Sequence, residues 1–223
     1  MDHMDTSQSK DKANVTSGIL KRAVQLGIQV LLLAAILFIS SGRLDWWAAW
    51  LYLGIFVMGV VINAAILLRR NPELIAERAE VKEDTKGWDR VLSLLWGLLS
   101  AIGVPLVAGL DMRFGWSSPI PLALRVLAFV LVVLGTAFAS WALITNAFFA
   151  GTVRIQEERG HTVASEGPYR FVRHPGYSGW ILSGLALPLM LGSLWALIPA
   201  VLAAGALAVR TAFEDRLLLA ELG

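Results

Sequence analysis

The chain has 223 residues, of which 57% are hydrophobic and 16% are charged. A soluble domain of this length cannot bury so much apolar surface, so composition excludes an ordinary water-soluble fold. The formal net charge is +2, and no stripe of interleaved basic and aromatic residues accompanies it, which argues against nucleic acid as a partner. With no cysteine and three scattered histidines, neither a disulfide framework nor a metal site is expected.

Four apolar runs predict membrane-spanning helices, because a bilayer core needs about 20 residues of helix. None of the four contains an internal Asp, Glu or Lys, and they cover residues 23–41, 46–68, 92–110 and 122–149. The first run is preceded by Lys21 and Arg22, as in a signal peptide, but a second span follows almost at once. We therefore expect a retained span. Residues 1–17 are polar and lack hydrophobic periodicity, which predicts a disordered tail.

A fifth apolar stretch covers residues 178–209 and, at 32 residues, is too long for one ordinary span. It contains Pro188, Gly192, Ser193 and Pro199, which are residue types that interrupt helices. We predict a tight hairpin of two shortish helices. The fold class is then an all-α polytopic membrane bundle of six hydrophobic segments, or of five spans if the hairpin only dips into the bilayer.

The positions of the basic residues predict the orientation of the bundle. If the N-terminus is cytoplasmic, almost every loop Lys and Arg falls on the cytoplasmic side, and Arg43 and Arg113 are left for the outside. The N-terminus, the loop over residues 151–177 and the C-terminus are then all cytoplasmic. Most of the nine tryptophans lie near span ends, which is typical of an interfacial aromatic belt.

The second cytoplasmic loop, residues 69–90, mixes acidic and basic residues. The triplet Asn71-Pro72-Glu73 resembles a helix cap, and Leu74, Ile75 and Val81 offer a small apolar face. This pattern favours a short, solvated surface helix. The alternative is a lid over a cytoplasmic pocket.

Two polar segments near the C-terminus point to a site. Residues 151–177 form a long connection for a helical bundle, rich in hydrogen-bonding groups, and long ordered loops are often functional. After the hairpin, Arg210 and Glu214 are four residues apart and share one face of a continuing helix. The hairpin returns this face to the side that holds the loop. Taken alone, Arg210 and Glu214 could instead be a helix-end ion pair, and His174 a helix-start residue before Pro175.

The segment GHTVASEGPYRFVRHPGY, followed by the hairpin and by RTAFEDRLL, resembles the C-terminal signature of the isoprenylcysteine carboxyl methyltransferase family. That signature runs as Gly-His, an apolar pair, Gly-x-Tyr, Arg-His-Pro-x-Tyr, an apolar hairpin and Arg-x-x-x-Glu. The resemblance covers about residues 156–222, and the four earlier spans are similar only in type. It predicts three parts: the tail 1–17, a four-span bundle 18–149 and a catalytic subdomain 150–223. It also implies an aromatic tail containing Gly and Tyr, which is not found up to Gly223.

The resemblance implies S-adenosylmethionine as cofactor, held at the cytoplasmic face by the loop and the Arg/Glu segment. Arg210 would bind the substrate carboxylate, and with His174 and Tyr177 it would form the catalytic group. The residues implied in cofactor binding are Gln156, His161, Thr162, Val163, Ala164, Tyr169, His174, Pro175, Gly176, Tyr177 and Glu214. The implied partners are membrane lipids and a lipid-like or prenylated substrate.

The chemistry of methyl transfer suits these residue types. A carboxylate acceptor is already ionised near neutral pH, so the protein has mainly to orient the reacting groups. A planar guanidinium such as that of Arg210 can grip a carboxylate through two hydrogen bonds. If the acceptor were a phospholipid amine or a thiol, His174 or Tyr177 would become base candidates. An NADPH-dependent membrane reductase and a non-enzymatic scaffold or transporter remain as alternatives; the last predicts polar residues in mid-span, such as Asn63 and Asn146.

Overall fold

The structure is a computed structural model that describes residues 2–80, 85–151, 162 and 164–221, with side chains from residue 13 to residue 220 within those ranges. The described residues form helices and no strand. The helices are α1 Asp2–Ser41, α2 Trp47–Arg70, α3 Pro72–Glu77, α4 Gly87–Leu98, α5 Val104–Phe114, α6 Leu122–Thr145, α7 Pro175–Leu191 and α8 Leu197–Glu221. A π-helical turn, Leu99–Gly103, joins α4 to α5, and a 3-10 turn, Gly167–Arg170, precedes α7.

Five helical segments of the described chain are long and apolar enough to cross a membrane. They are Ala13–Ser41, Trp47–Arg70, Gly87–Phe114, Leu122–Thr145 and Leu197–Ala220. The sixth segment, α7, has 17 residues, or about 26 Å of helix at 1.5 Å per residue. The predicted all-α polytopic bundle is therefore confirmed, with five long segments and one short one.

The N-terminal helix differs from the sequence-based expectation. It begins at Asp2, so residues 2–17 are helical where a disordered tail was predicted. Close packing fixes α1 beside α3, since a Cβ atom on Gly18 would lie 2.6 Å from the Cβ of Ala76. About two turns further on, Gln25 donates a hydrogen bond from Nε2 to the carbonyl of Ala79 (3.0 Å). Once this helix is anchored, each further residue added at its end costs little, because nucleation is already complete.

The C-terminal hairpin is confirmed, and its break lies at the turn that follows Gly192. Gly192 has a φ of 90°, and its N–H and that of Ser193 both donate to the carbonyl of Pro188 (3.0 and 2.9 Å). This pattern closes α7 with a left-handed residue, which glycine adopts without a Cβ penalty. Contrary to our prediction, the two prolines do not interrupt the helices. Pro188 lies inside α7, and Pro199 lies in the first turn of α8.

A buried carboxylate ties together the turns at the end of the bundle where α5, α7 and the start of α8 meet. Asp111, at the end of α5, accepts hydrogen bonds from the backbone N–H of Ser117 (2.7 Å) and from the hydroxyls of Ser117 and Ser193 (2.5 Å each). Because both of its oxygens accept hydrogen bonds, the cost of burying this acid is offset. The hairpin turn is thereby fixed to the α5–α6 connection.

Helices α6 and α7 approach each other closely through glycine. A Cβ atom on Gly179 would lie 2.5 Å from the carbonyl oxygen of Gly135, and one on Gly135 would lie 2.6 Å from that of Gly179. Small residues let membrane helices pack backbone against backbone, which dispersion and shape complementarity stabilise. This contact positions the start of α7, which carries His174 and Tyr177.

We predict that Gly179→Ala lowers the free energy of unfolding by roughly 1–3 kcal/mol, because the new methyl group overlaps the backbone of α6. Gly184→Ala is the matched control in the same helix, where a Cβ atom meets nothing within 4 Å. Thermal or denaturant unfolding of the purified protein in detergent measures both. Equal stability of the two variants would show that the glycine contact does not hold α6 to α7.

Candidate active site

One end of the bundle gathers the polar residues that the sequence singled out. There α2 and α6 end, α4 and α7 begin, and the second half of α8 passes between them; we call this the site end. The edge-to-face contact of Trp88 with Phe213, with ring centroids 5.3 Å apart, packs the start of α4 against α8. The predicted return of the Arg210 segment to the side that holds the 151–177 loop is thus observed.

Arg210 lies at the centre of the site end, and its partner is Asp89. Its Nε donates to Oδ1 of Asp89 at 2.6 Å, and its Nη2 donates to the carbonyl of Gly151 at 3.2 Å. Both side chains are buried, with exposures of 4% for Arg210 and 0% for Asp89. The alternative of a helix-end ion pair with Glu214 is not observed; Arg210 instead pairs with Asp89, 121 residues away in sequence, which sequence spacing could not reveal.

Tyr177 and Glu214 continue the site on the other side of Arg210. The guanidinium carbon of Arg210 lies 5.2 Å from the ring centroid of Tyr177, within the range of a cation–π interaction. The phenol of Tyr177 donates to Oε2 of Glu214 at 2.5 Å. The ring of Tyr177 is therefore held between a cation on α8 and a carboxylate one turn further along the same helix.

His174 stands at the start of α7 and pairs with the second acid of α8. Its Nε2 lies 2.9 Å from Oδ1 of Asp215, and its ring stacks on Tyr177 with centroids 5.5 Å apart and an interplanar angle of 3°. Arg173 also approaches Asp215, at 3.8 Å. His174 is the N-cap residue of α7, and Pro175 follows it in the first turn, so its helix-start role and its place in the site coexist.

Tyr169 closes the site on the side of α6. Its hydroxyl accepts a hydrogen bond from Nδ2 of Asn146 (3.2 Å), at the end of that helix. Burial raises the pKa of Tyr169 to about 12, and the charge of Glu214 acts in the same direction. The phenol is therefore neutral near pH 7. Asn146 lies at the end of α6 and not in mid-span.

The site end opens into a cavity of about 540 Å³ between the helices. Its walls are mainly apolar and small side chains of α2, α6, α7 and α8, such as Phe56, Leu187 and Ala203. This volume lies in the range of cavities that enclose small ligands. The cavity therefore has room for a hydrocarbon group between the helices.

Three arginines of the described chain line this cavity: Arg22, Arg78 and Arg210. Arg78 donates from Nη1 to the carbonyl of Phe149 (2.8 Å), and its guanidinium lies 5.6 Å from the centroid of that ring. Burial lowers the pKa of Arg78 to about 10, with the charges of Arg22 and Arg210 acting in the same direction, and the group stays cationic near pH 7. The polar end of the cavity thus favours an anionic group.

The other predicted site residues divide into two groups. Gln156, His161 and Val163 lie outside the described residues. Thr162 is exposed and Ala164 is half-buried, whereas Pro175 and Gly176 are buried in the first turn of α7. The position of Gly176 has its own structural reason, because a Cβ atom there would lie 2.5 Å from the ring of Phe149.

Sequence reasoning missed Asp89, Arg78 and two tryptophans. Trp96 and Trp180 line the cavity and contact each other, with ring centroids 5.0 Å apart, so they are not members of an interfacial belt alone. In the sequence, Asp89 follows Trp88 and stands just before an apolar run. An acid at the entrance of a span was the signal that could have pointed to it. For Arg78 the sequence offered no signal beyond the charge itself.

The segment after α2 also differs from the favoured prediction. The cap is confirmed, since Oδ1 of Asn71 accepts from the N–H of Leu74 at 3.2 Å. However, Leu74 is buried against Leu67 and Ile19 rather than lying on a solvated helix, and Ile75 lines the cavity. Helix α3 therefore covers the site end of the cavity; Val81 lies outside the described residues.

Comparison with protein families gives a match to the C-terminal part of the chain. Residues 126–220, which carry α6, α7, α8 and the loop between them, match the model of the isoprenylcysteine carboxyl methyltransferase family. The C-terminal region is therefore similar to this family. The resemblance seen in the sequence motif is confirmed, and in this family region Arg210, Tyr177, Glu214 and His174 come together.

Two plant proteins illustrate the similarity to the isoprenylcysteine carboxyl methyltransferase family. A probable protein-S-isoprenylcysteine O-methyltransferase of Oryza sativa subsp. indica is 35% identical over 63 residues, which are 28% of this chain and 33% of the relative. Protein-S-isoprenylcysteine O-methyltransferase B of Arabidopsis thaliana is 32% identical over 62 residues, 27% of this chain and 32% of the relative. The chain thus spans about a third of the length of the curated relatives it matches. No solved structure matches it.

We predict that Asp89→Ala lowers the free energy of unfolding by about 3–5 kcal/mol, because it leaves the buried guanidinium of Arg210 without its counter-charge. The double variant Asp89→Ala/Arg210→Met should cost less than the sum of the single changes Asp89→Ala and Arg210→Met, since neither charge then remains unpaired. Asp45→Ala, which removes an exposed ion pair with Arg43, is the control and should change stability very little. Denaturant unfolding measures the stability of all four variants. If the effect of the double variant equals the sum of the two single effects, Asp89 and Arg210 are not energetically coupled.

Proposed function

We propose that this protein is an integral membrane methyltransferase that uses S-adenosylmethionine to methylate the carboxylate of an isoprenylcysteine-like amphiphile. The observation that carries the proposal is the cavity whose apolar walls end at Arg22, Arg78 and Arg210. An amphiphile with an apolar tail and an anionic head matches both halves of this cavity. The family of the C-terminal region and the printed names of the plant relatives support methyl transfer as the reaction.

Arg210 is the residue best placed to hold the acceptor carboxylate. A guanidinium carries five N–H donors in a planar fork, so the contacts to Asp89 and Gly151 leave further donor capacity. Asp89 neutralises one charge, and Arg78 in the same cavity supplies a second cation for the incoming carboxylate. Arg210 can thus orient the acceptor oxygen while Asp89 fixes the guanidinium on its other edge.

The apolar part of the cavity suits the tail of the same substrate. Burial of an isoprenoid group removes apolar surface from water and contributes about 25 cal/mol for each Å² buried. The wall residues Trp96 and Trp180 are aromatic, and aromatic walls make close contact with unsaturated chains. The cavity and the arginines together support this class of substrate.

The donor set at the site end fits the proposed cofactor. Glu214 supplies a carboxylate suited to the ammonium group of an amino acid, and Tyr177 and His174 supply a stacked ring wall beside it. Thr162, Ala164, Tyr169, Pro175 and Gly176 would complete this wall, with Gln156, His161 and Val163 contributed by the same loop. When bound, S-adenosylmethionine supplies a methyl group on a sulfonium sulfur.

The residues of the chain would act by orientation. An ionised carboxylate needs no general base, and alignment of the acceptor oxygen with the transferred methyl group can lower a barrier by several kcal/mol. Arg210 would set the direction of the acceptor, Tyr177 would separate the arginine from Glu214, and Trp180, 5.9 Å from Tyr177, would help to exclude water. Helix α3 would cover the site from the side of α2.

We infer the orientation of the bundle from the same basic residues. Arg22, Arg69, Arg70 and Arg78 all lie at the site end, and by the positive-inside rule they support a cytoplasmic location for this end. The N-terminus, the site and the C-terminus would share that side, and the spans would contact membrane lipids. A prenylated cysteine at the end of a cytoplasmic protein, or a free amphiphile, could reach the cavity from there.

One contact favours a second candidate, which is methyl transfer to a phospholipid amine or a thiol. Such acceptors lose a proton, and the 2.9 Å contact between His174 and Asp215 resembles the arrangement that orients an imidazole as a base. The three arginines argue against a cationic amine as the group to be bound, because like charges repel. The carboxylate acceptor therefore remains the proposal.

Calorimetric titration of the purified full chain tests the cofactor. We expect S-adenosylmethionine to bind and NADPH to give no binding heat. Glu214→Gln, which keeps an acceptor oxygen for Tyr177 but removes the charge, should weaken binding about 10- to 100-fold. Asp45→Asn removes a charge near Arg43 at the opposite end and is the control. Binding of NADPH without S-adenosylmethionine would overturn the proposal in favour of a reductase.

A cavity-filling substitution tests the tail site. Gly59 lines the cavity on α2, and we predict that Gly59→Leu raises the KM for a long-chain acceptor at least 10-fold while the affinity for S-adenosylmethionine is kept. Gly54→Leu, on the exposed face of the same helix with nothing within 4 Å of its Cβ position, is the matched control. Unchanged kinetics of Gly59→Leu would show that the tail lies elsewhere.

A further inference from the structure

Asn63 is a polar side chain within the span α2, and the proposed chemistry does not use it. Its Nδ2 donates to the hydroxyl of Ser140 on α6 at 3.1 Å. Its Oδ1 is buried and has no hydrogen-bond partner among the described residues. A buried acceptor without a donor is costly, and polar groups inside a bilayer commonly mark a binding site or pathway.

The unpaired oxygen belongs to a residue of the cavity wall. Asn63 and Ser140 both line the 540 Å³ cavity, as do Thr136 and Ser183. The hydroxyl of Ser183 already donates to the carbonyl of Trp180 at 3.3 Å, and the methyl group of Thr136 faces Gly59. Among the described side chains that line the cavity, Asn63 is the one with a fully buried polar atom that lacks a hydrogen-bond partner.

The depth of Asn63 decides which part of a ligand it can meet. Asn63 precedes Arg70, the last residue of α2, by seven residues, which is about 10 Å along a helix. Ser140 precedes Thr145, the last residue of α6, by five residues, or about 7.5 Å. The arginines that suit a carboxylate lie toward the site end, so Asn63 lies beside the hydrocarbon chain rather than the head group.

We propose that Asn63 and Ser140 form a polar subsite that recognises a hydroxyl group partway along the chain of the bound amphiphile. The inference rests on the proposed function in so far as the cavity holds an anionic amphiphile. A hydroxyl both donates and accepts, so it can donate to Oδ1 of Asn63 and accept in return. A plain hydrocarbon chain leaves Oδ1 unpaired. The subsite therefore discriminates between plain and hydroxylated chains.

A resident water molecule is the competing explanation for the open acceptor. A buried water needs two to four polar partners, and around Asn63 the walls offer Ser140 within hydrogen-bond reach of the amide and mostly apolar groups elsewhere. A ligand hydroxyl needs fewer partners, because its carbon chain is held by the apolar walls. The two explanations differ in whether a hydroxyl on the ligand improves binding.

The test uses octadecanoic acid and a series of hydroxyoctadecanoic acids in which the hydroxyl moves along the chain. Dissociation constants are measured by displacement of a fluorescent fatty acid from the purified full chain. We expect the hydroxyl to tighten binding about 3- to 10-fold at the chain positions that reach Asn63, and to weaken it elsewhere. No methyl donor is needed, so the result does not depend on catalysis.

Two variants test whether Asn63 causes the preference for hydroxylated acids. Asn63→Leu should remove the preference and bind octadecanoic acid at least as well as the native chain, which also shows that it is folded. Ser183→Ala should keep the preference. An equal affinity for plain and hydroxylated acids in the native chain, as expected for an ordered water only, or a preference that survives in Asn63→Leu, would overturn the subsite. Failure of octadecanoic acid to bind, or binding that Arg210→Leu does not weaken, would instead contradict the proposed amphiphile site.

Discussion

The site depends on one buried ion pair, between Arg210 of α8 and Asp89 of α4. Each charge would be costly in a bilayer alone, and together they fix a cation where the apolar cavity meets the polar end of the bundle. The pair also joins helices that are 121 residues apart, so the C-terminal family region is completed by a residue from the N-terminal bundle. The contacts of Arg210 with Tyr177 and Gly151 follow from this fixed position.

The cavity distinguishes this ion pair from a purely structural one. A buried guanidinium with one acid could be a purely structural pair, but here Arg78 and Arg22 line the same space, and the walls beyond them are apolar. The cavity can then select its ligand in two ways: by the charge of the ligand's head group, and by a hydrogen bond between the ligand's hydrocarbon chain and Asn63. The proposed reaction needs both the cation that orients a carboxylate and the volume that holds the tail.

Much of this arrangement could be predicted from the sequence, because run lengths determine spans and local motifs determine caps. The six hydrophobic segments, the hairpin and the Asn71 cap were all predictable for this reason. The pairing of Arg210 with Asp89 was not predictable, because a tertiary contact has no local sequence signal. Helical spacing pointed to Glu214 instead, since it lies four residues from Arg210. The disorder of residues 1–17 was predicted from composition alone. Composition does not show that an anchored helix extends beyond its apolar part, as α1 does from Asp2 onward.

The most direct test follows the transferred methyl group. Purified full chain in lipid is incubated with methyl-labelled S-adenosylmethionine and S-farnesylcysteine, and the position of the label is determined by mass spectrometry and base lability. The account predicts label in a base-labile ester on the α-carboxylate, and a loss of about 10- to 100-fold in kcat/KM in Arg210→Lys, whose point charge cannot replace the planar grip. Label on nitrogen or sulfur, or an ester formed equally well by Arg210→Lys, would contradict it.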